Sequence, residues 1–489
     1  MRRLALAALC LLLTAVLCSC ASAPALPPAD ETLLEASEGL DEILIDAAFD
    51  PEENTLRVRQ RLTLTNRTGE TLNAAVLRTW PNAFQSVDTS PCAQEERLFD
   101  LYYPDGFSSG ALVMARAQAN GETVVYRYTD AAKTSLSIPV PGGWLPQQDV
   151  VLDLEYAVQI PHMAYRFGEM DGIWALGNAF AIPAVWEDGA FRTDAYAPVG
   201  DPFVSDCANY TVSVTVPQAY LCAGSAYPAT EASDGLKTFR FSAPAVRDFA
   251  LVISREFQTA QRLQDGVLVT AYASQNAQEM LKYACKALKC YEKRYGSYPY
   301  QSFTLAQVHF PYGGMEYPSL TMVSSEMLET GGRELEYLIA HETAHQWWYA
   351  AVGSDGWNQP WQDEALCEFS LLEYAQDTYG QAARDELEYA RAQSAMRVTV
   401  PQGVTPGAPL SAFSSMSEYS LVVYDRGAAC LIALDKTIPG GLDSFLREYY
   451  QRYAFRRASR THFEDLLAQS TGEDLAPLLR DYLDTYILN

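Results

Sequence analysis

The first half of the chain alternates hydrophobic and polar residues with a period of two. Leu56 and Val58 are each followed by an arginine, and the same alternation returns at Tyr210 and Val212. This period places every second side chain on one face of a strand, so one face of each strand is buried. Because turn-forming residues separate the runs, we predict an all-β, sandwich-like domain over residues 41–255.

The pattern changes after about residue 256, where helical spacing of apolar residues becomes dominant. Two strands are still predicted there, and longer stretches favour helices. The predicted elements are strands at Val267–Tyr272 and Phe303–Val308 and helices near Ala277–Tyr295, Gly441–Phe455 and Thr461–Tyr486. The chain is therefore predicted to be a multidomain α+β protein, with a second domain over residues 256–489.

One helical segment carries a residue pattern typical of catalytic zinc. His341 and His345 are four residues apart, about 40° around a helix, so both imidazoles project from one face. Glu364 follows after eighteen intervening residues, enough for a turn and a returning helix. Two histidines and one carboxylate leave a fourth position open for water, unlike structural zinc sites. We predict one Zn²⁺ per chain, bound by these three residues.

Two further carboxylates lie close to the predicted ligands. Glu342 follows the first histidine, where it reaches a water on the metal without binding the metal, so it is the predicted general base. Glu368 lies four residues after Glu364, on the same face of a helix. It either orients a ligand histidine or is an ordinary exposed helix carboxylate.

Taken together, these motifs resemble the aminopeptidase N family of gluzincin metallopeptidases. The zinc motif is preceded by Gly313–Glu316 and followed by Tyr419 and Tyr424, in the order found in that family. The segments Asp201–Phe203 and Ala245–Ala250 resemble its amino-terminal domain. The resemblance implies a thermolysin-like α/β zinc peptidase domain after the β domain. It also implies removal of the first residue from peptides with a free N-terminus.

The same resemblance implies how the substrate binds. Glu316 matches the family glutamate that binds the free amino group of the peptide. Gly313, Gly314 and Met315 come before it, and the glycines let the backbone approach the substrate closely. The flanking edge strand is expected to pair with an extended peptide. Tyr317 stands where the family usually has Asn, so it is expected to reshape the adjacent pocket.

Two tyrosines complete the predicted site. Tyr424 matches the family tyrosine that stabilises the oxyanion of the tetrahedral intermediate. Tyr419 matches a second tyrosine of the substrate site. Tyrosine is abundant in this chain, with 30 residues, so a position in the core would be the default expectation without the resemblance.

The first twenty residues predict a targeting segment. Arg2 and Arg3 precede the apolar stretch Leu4–Leu17, and Leu17-Cys18-Ser19-Cys20 resembles a bacterial lipobox. We expect residues 1–20 to be a lipoprotein signal with lipid on Cys20, followed by a tether over residues 21–40. The alternative is an ordinary secretory peptide cleaved nearby. In both cases the protein works outside the cytoplasm, and in the first it is anchored to the cell membrane.

Net charge and cysteine content limit the classes of function that the chain can have. The 35 basic and 61 acidic residues give a net charge of −26, which argues against nucleic-acid binding. Most cysteines are expected to be buried thiols, although Cys207 and Cys222 are near enough in sequence to pair. The oligomeric state does not follow from the sequence.

Two other functions remain open at this point. A zinc endopeptidase of the gluzincin type would use the same metal site but would lack the anion at Glu316. A catalytically silent, peptide-binding lipoprotein would be expected to lack Glu342 or Tyr424, and this chain has both.

Overall fold

The computed structural model describes residues 26–94 and 98–485. The predicted lipid site at Cys20 lies outside these residues. Within the predicted tether, residues Glu31–Ser37 form helix α1, capped by the Asp30 side chain, and Leu33 is buried in the core. This helix was not expected from the sequence, because seven residues are too few to show a helical period.

The N-terminal β domain is built around an eight-stranded sheet in the order β16-β17-β14-β1-β2-β8-β4-β5. Neighbouring strands are antiparallel except β1 and β14, which are parallel. Its strands are β1 (Asp41–Asp50), β2 (Thr55–Thr65), β4 (Ala111–Ala119), β5 (Glu122–Thr123), β8 (Asp149–Gln159), β14 (Ala208–Pro217), β16 (Ala229–Ser233) and β17 (Leu236–Val246). The predicted alternation is present in β2, where Leu56, Val58, Leu62 and Leu64 are buried.

Smaller sheets complete this domain. Two have four strands, in the orders β15-β18-β10-β9 and β11-β3-β7-β6, and β12 pairs with β13. Their strands are β3 (Leu72–Arg78), β6 (Arg127–Tyr128), β7 (Ser135–Trp144), β9 (Phe167–Met170), β10 (Ile173–Leu176), β11 (Ile182–Pro183), β12 (Trp186–Glu187), β13 (Ala190–Phe191), β15 (Leu221–Gly224) and β18 (Leu251–Ser254). A short helix, α2 (Phe99–Tyr102), lies before β4.

The part of the chain that follows the β domain begins with a five-stranded sheet in the order β19-β20-β21-β23-β22. The strand β22 is at the edge of this sheet and is antiparallel to β23. The strands are β19 (Gln258–Gln264), β20 (Val267–Ala273), β21 (Ser302–Val308), β22 (Gly314–Tyr317) and β23 (Leu320–Ser324). An edge strand is thus present at Glu316, but it includes this residue and does not merely flank it. Among the described residues, one side of β22 has no strand partner and could pair with a further strand.

Helices follow the sheet, as the sequence pattern predicts. They are α3 (Ala277–Tyr295), α4 (Ser325–Thr330), α5 (Gly332–Ala344), α6 (Trp361–Tyr379), α7 (Gln381–Glu388), α8 (Met416–Tyr419), α9 (Gly427–Thr437), α10 (Asp443–Tyr453), α11 (Arg460–Thr471) and α12 (Ala476–Leu483). The stretch Thr461–Tyr486, predicted as one helical region, is divided at Gly472. This residue ends α11 in the left-handed conformation that favours glycine.

Tyr317 connects the two domains instead of shaping the substrate pocket. Its side chain is fully buried and its hydroxyl donates a 2.7 Å hydrogen bond to Oδ1 of Asn178 in the β domain. The expectation that Tyr317 reshapes the adjacent pocket is wrong, because the residue does not line the cleft. A Cβ atom at Gly177 would overlap the Tyr317 hydroxyl, so only glycine fits this domain contact.

The cysteines and the helices carry two further findings. The seven cysteines among the described residues are buried and unpaired, so Cys207 and Cys222 do not form a disulfide. In residues 26–94 and 98–485, no helix is both long and apolar enough to cross a membrane.

Candidate active site

The predicted metal ligands come together where α5 and α6 meet. His341 and His345 lie one turn apart at the end of α5, and Glu364 lies in the first turn of α6. Nε2 of His341 and Nε2 of His345 are 3.2 Å apart. Oε2 of Glu364 lies 3.5 Å from the first nitrogen and 3.4 Å from the second. All three side chains are buried.

The size of this triangle tests whether zinc fits. Zinc binds nitrogen and oxygen ligands at about 2.0–2.1 Å with tetrahedral angles, so its ligand atoms lie roughly 3.3–3.4 Å from each other. The three observed separations surround this value. Oε2 of Glu364 also has no hydrogen-bond partner among the described residues, although the atom is buried. A buried carboxylate oxygen without a partner is costly, and a bound cation would satisfy it. The donor set and its spacing therefore fit Zn²⁺.

Two carboxylates contact the ligand histidines at Nδ1, the ring nitrogen that faces away from the metal position. Nδ1 of His345 donates a 2.6 Å hydrogen bond to Oδ1 of Asp363. Nδ1 of His341 lies 3.1 Å from Oε1 of Glu368, which also accepts a 3.0 Å hydrogen bond from Arg391. The contact of His341 is an ion-pair distance and not a hydrogen bond. With the proton on Nδ1, each histidine would present Nε2 to a metal. Glu368 thus takes the orienting role, and Asp363 is a site residue that sequence reasoning missed.

The electrostatics of the ligands agree with a cation site. Burial favours the neutral form of Glu364, but the two histidines outweigh it and lower the pKa of this carboxyl to about 2. Burial also opposes the charged form of His341, yet Glu364 and Glu368 raise its pKa to about 9. The carboxylates therefore attract positive charge to the position that the metal would occupy.

Glu342 faces the same position from α5. Its side chain is 5 % exposed, and Oε2 has no hydrogen-bond partner among the described residues. Burial raises its pKa to about 7, against the effect of His341 and His345. A Cβ atom at Gly314 would lie 2.5 Å from Oε1 of Glu342, so glycine lets the edge strand approach this carboxylate closely.

Glu316, on β22, is a second carboxylate that faces the metal position without being a predicted metal ligand. Carboxylate or imidazole atoms of Glu316, Glu342 and His345 lie within 4.8 Å of one another. Glu316 is 4 % exposed, and its Oε1 lacks a hydrogen-bond partner within the described part of the chain. Burial, together with neighbouring carboxylates, raises the pKa of Glu316 well above its usual value. A cationic group placed here would be strongly stabilised.

The β domain contributes Asp201 to this group of acids. One oxygen each of Asp201, Glu316 and Glu364 lie within 4.8 Å of one another. Asp201 forms an ion pair with Arg166, which also belongs to the β domain. The sequence showed Asp201 only as part of a family-like segment, since a position over a hundred residues before the zinc motif carries no spacing signal.

The two predicted tyrosines occupy different positions. The Tyr424 ring stacks on His341, and its hydroxyl donates a 2.6 Å hydrogen bond to Oε1 of Glu364. Burial raises the pKa of Tyr424 well above its usual value, so it remains a phenol that can donate. Tyr419 is 1 % exposed and packs edge-on against Tyr424. Its hydroxyl end lies against Gly200 of the cleft wall, and its predicted role in substrate binding stays a prediction.

These groups line a cleft of about 780 Å³ between the two domains. The cleft collects nearly all of the site residues that the sequence predicted. Those on its wall are Gly313, Gly314, Met315, Glu316, His341, Glu342, His345 and Tyr424. Glu364 and Tyr419 lie behind that wall. The volume suits several residues of an extended peptide.

Comparison with known sequences finds similarity to zinc peptidases over the part of the chain that holds the predicted metal ligands. Residues 279–482 match the Peptidase family M1 domain. Leukotriene A-4 hydrolase of Xenopus laevis is 28% identical over 210 residues, covering 40% of this chain and 33% of that protein. Aminopeptidase B of Rattus norvegicus is 25% identical over 328 residues, covering 60% of this chain and 48% of that protein. The chain thus spans half or less of the length of these relatives.

Comparison with solved structures covers nearly the whole chain. An M1 zinc metallopeptidase from Deinococcus radiodurans has a TM-score of 0.64 at 18% identity, covering 92% of this chain and 95% of that one. Native yeast LTA4 hydrolase has a TM-score of 0.64 at 14% identity, covering 92% of this chain and 68% of that one. The predicted fold class is confirmed. The chain thus has a segment similar to the Peptidase family M1 domain, and it has the fold of the M1 zinc metallopeptidases.

Proposed function

We propose that this protein is a zinc-dependent aminopeptidase that removes the first residue from peptides. One observation carries the proposal: two buried, unpartnered carboxylate oxygens, on Glu316 and Glu342, face the zinc-sized triangle within one cleft. A peptide hydrolase needs a base beside the reacting bond. An aminopeptidase also needs an anion one residue away from that bond, for the free ammonium group. This cleft supplies both.

The chain's own groups divide the work of hydrolysis. Glu342 accepts the proton of the attacking water and then delivers it to the leaving amine. When bound, zinc would polarise the substrate carbonyl and lower the pKa of a coordinated water towards about 7. Tyr424 is held 2.6 Å from a ligand carboxylate, beside the position where the carbonyl oxygen becomes negative. Its hydroxyl can donate to that oxygen.

Glu316 decides between an aminopeptidase and an endopeptidase. Its carboxylate lies among the acids Asp201 and Glu364, and burial makes a lone negative charge there unfavourable. An α-ammonium group would supply the missing countercharge. An internal peptide segment has no charge at this point and would leave Glu316 buried without a partner. The cleft therefore favours substrates with a free N-terminus.

A pair of matched substrates tests the proposal. The zinc-loaded protein should cleave free aminoacyl fluorogenic substrates at least about tenfold more efficiently than their N-acetylated forms, measured as kcat/KM. A charge-assisted contact to Glu316 is worth roughly 1.5–3 kcal/mol, and acetylation removes it. Glu316→Ala should lose activity on free substrates to a similar extent, and a chelator should abolish it. Equal cleavage of free and acetylated substrates would indicate the endopeptidase alternative instead.

We also propose that the protein is extracytoplasmic, held at a bacterial cell membrane by lipid on Cys20. The support is the basic, apolar and lipobox-like sequence of residues 1–20. Cys20→Ser should release protein from the membrane fraction or leave it unprocessed. Mass spectrometry of the mature N-terminus is the measurement. A mature N-terminus at another residue, without acyl chains, would replace this proposal with ordinary secretion.

A further inference from the structure

The cleft contains more carboxylates than the proposed reaction uses. Glu326 and Glu334 line it in addition to the groups already described. Both side chains are exposed, and neither has an ion-pair partner within 4.0 Å among the described residues. The adjacent Arg333 lies over the ring of Tyr379, at 4.5 Å from its centroid. These two acids therefore give their part of the cleft an uncompensated negative charge.

The basic residues of the cleft wall do not offset this charge. Arg166 and Arg391 line the cleft. Arg166 forms an ion pair with Asp201, and Arg391 forms one with Glu368 at 3.0 Å. Each guanidinium group already has its carboxylate. Among the described residues, Glu326 and Glu334 have no basic ion-pair partner.

The alignment of β22 with α5 shows which part of a peptide would reach these acids. Glu316 lies beside Glu342 and His345. Three residues earlier in the chain, a Cβ atom at Gly313 would lie 3.1 Å from Leu338, one turn before Glu342. From Glu316 back to Gly313, the backbone therefore runs alongside α5 towards the start of that helix. With the N-terminus at Glu316 and the reacting bond opposite Glu342, the residues after that bond extend in this direction.

Glu334 lies in the first turn of α5, towards which this direction leads. Glu326 lies in the first turn of α4, two residues after Ser324, whose backbone N–H donates a 2.7 Å hydrogen bond to the carbonyl oxygen of Gly313. Both acids therefore lie on this leaving side of the cleft. Met327, Tyr337 and Leu338 are partly buried residues of the same cleft wall. A lysine or arginine side chain matches this arrangement, because its apolar stem can lie on such residues while its charged end reaches the acids. A polar ligand in this cleft would satisfy the buried oxygens of Glu316 and Glu342, which have no hydrogen-bond partner among the described residues.

We propose that the leaving side of the cleft selects peptides with lysine or arginine at the second position. This inference rests on the proposed aminopeptidase function and specifies its substrate class. The same charge disfavours a carboxylate there, whether it comes from a glutamate side chain or from the C-terminus of a dipeptide.

Tripeptide amides that differ only at the second residue test the inference. With alanine first, the zinc-loaded enzyme should prefer lysine over glutamate at position two by about fivefold or more in kcat/KM, because exposed charge pairs each contribute modestly. The preference should decrease as ionic strength rises. In the double variant Glu326→Gln/Glu334→Gln, it should fall to about twofold or less, while cleavage of an uncharged peptide amide continues.

A matched control removes two exposed acids from the β domain. Glu52→Gln/Glu70→Gln changes the net charge by the same amount and leaves the cleft wall intact, so this variant should retain the wild-type preference. A wild-type lysine-to-glutamate ratio below about twofold would overturn the inference and leave the aminopeptidase function standing. A full preference in the Glu326/Glu334 double variant would also overturn it. If no peptide amide loses its first residue, the proposed function itself fails.

Discussion

Nδ1 of His345 lies 2.6 Å from Oδ1 of Asp363, a residue adjacent in sequence to the metal ligand Glu364. One short segment at the start of α6 thus supplies a ligand and also orients another ligand. Glu368, one turn later on α6, lies 3.1 Å from Nδ1 of His341 and orients that ligand. A proton on Nδ1 of each imidazole would direct both Nε2 atoms towards the metal position.

Removing the orienting carboxylates should weaken zinc binding. Asp363→Asn and Glu368→Gln should each lower zinc affinity by about tenfold to a hundredfold, because each histidine loses the partner that fixes its tautomer. Competition with a chromophoric chelator measures the dissociation constant directly. Asp377→Asn is the control, since Asp377 lies on the same helix but pairs with Arg294 away from the site. Unchanged affinity in both test variants would contradict this role.

Glu342→Gln should retain zinc and lose most turnover. An amide cannot accept a proton from the attacking water, while the three ligands remain intact. Steady-state kinetics with zinc content measured on the same sample checks this outcome. Activity like that of the wild-type protein in the zinc-loaded variant would rule out Glu342 as the base.

Tyr424→Phe should reduce kcat more than it changes KM. Loss of one donor to a developing oxyanion costs about 2.7–4 kcal/mol, or roughly 10²–10³ in kcat. Because the Tyr424 hydroxyl also bonds to Glu364, zinc content must be measured in parallel. A variant with full zinc and unchanged kcat would show that Tyr424 only supports the metal ligand.

Activity should decline on the acid side of neutrality. Burial raises the pKa of Glu342 to about 7, and a general base must be deprotonated, so kcat/KM falls as pH decreases through the pKa of the free enzyme. A bound zinc ion adds positive charge and lowers that pKa, so the midpoint should lie at or below about pH 7. A pH profile of the zinc-loaded enzyme measures it. A value of kcat/KM that still increased as the pH was lowered to 5 would contradict a carboxylate base.

The contact between the domains should contribute to stability. Tyr317→Phe removes the hydroxyl that satisfies buried Asn178, which should lower the free energy of unfolding by about 1–3 kcal/mol. Gly177→Ala should be more damaging, because its Cβ atom would overlap the Tyr317 hydroxyl. Denaturant unfolding monitored by tryptophan fluorescence compares the three proteins. Equal midpoints would show that this contact does not stabilise the domain interface.

The sequence predicted the parts of the site that depend on local spacing. His341, His345 and Glu342 share one helix, and a four-residue separation determines their relative direction. Glu364 and Glu316 were found through motifs at typical distances from that helix. The alternation of strands likewise revealed the β domain, because one buried face gives a period of two.

The remainder depends on contacts that no local period encodes. Asp201 and Arg166 reach the cleft only because the β domain folds against the catalytic domain. Asp363 stands beside a ligand in sequence, yet only the direction of its side chain makes it the partner of His345. Tyr317 follows Glu316 directly, but its side chain is buried against Asn178 and not in the cleft. These outcomes come from tertiary packing.

The most direct test of the account is to map the cleavage sites of the zinc-loaded protein on one unmodified peptide of about ten residues by mass spectrometry. The account predicts products that lack one, then two, then three N-terminal residues. It also predicts no cleavage of the same peptide after N-acetylation or with Glu342→Gln. Internal fragments from the acetylated peptide, or an intact unmodified peptide after prolonged incubation, would contradict the assignment as a zinc aminopeptidase.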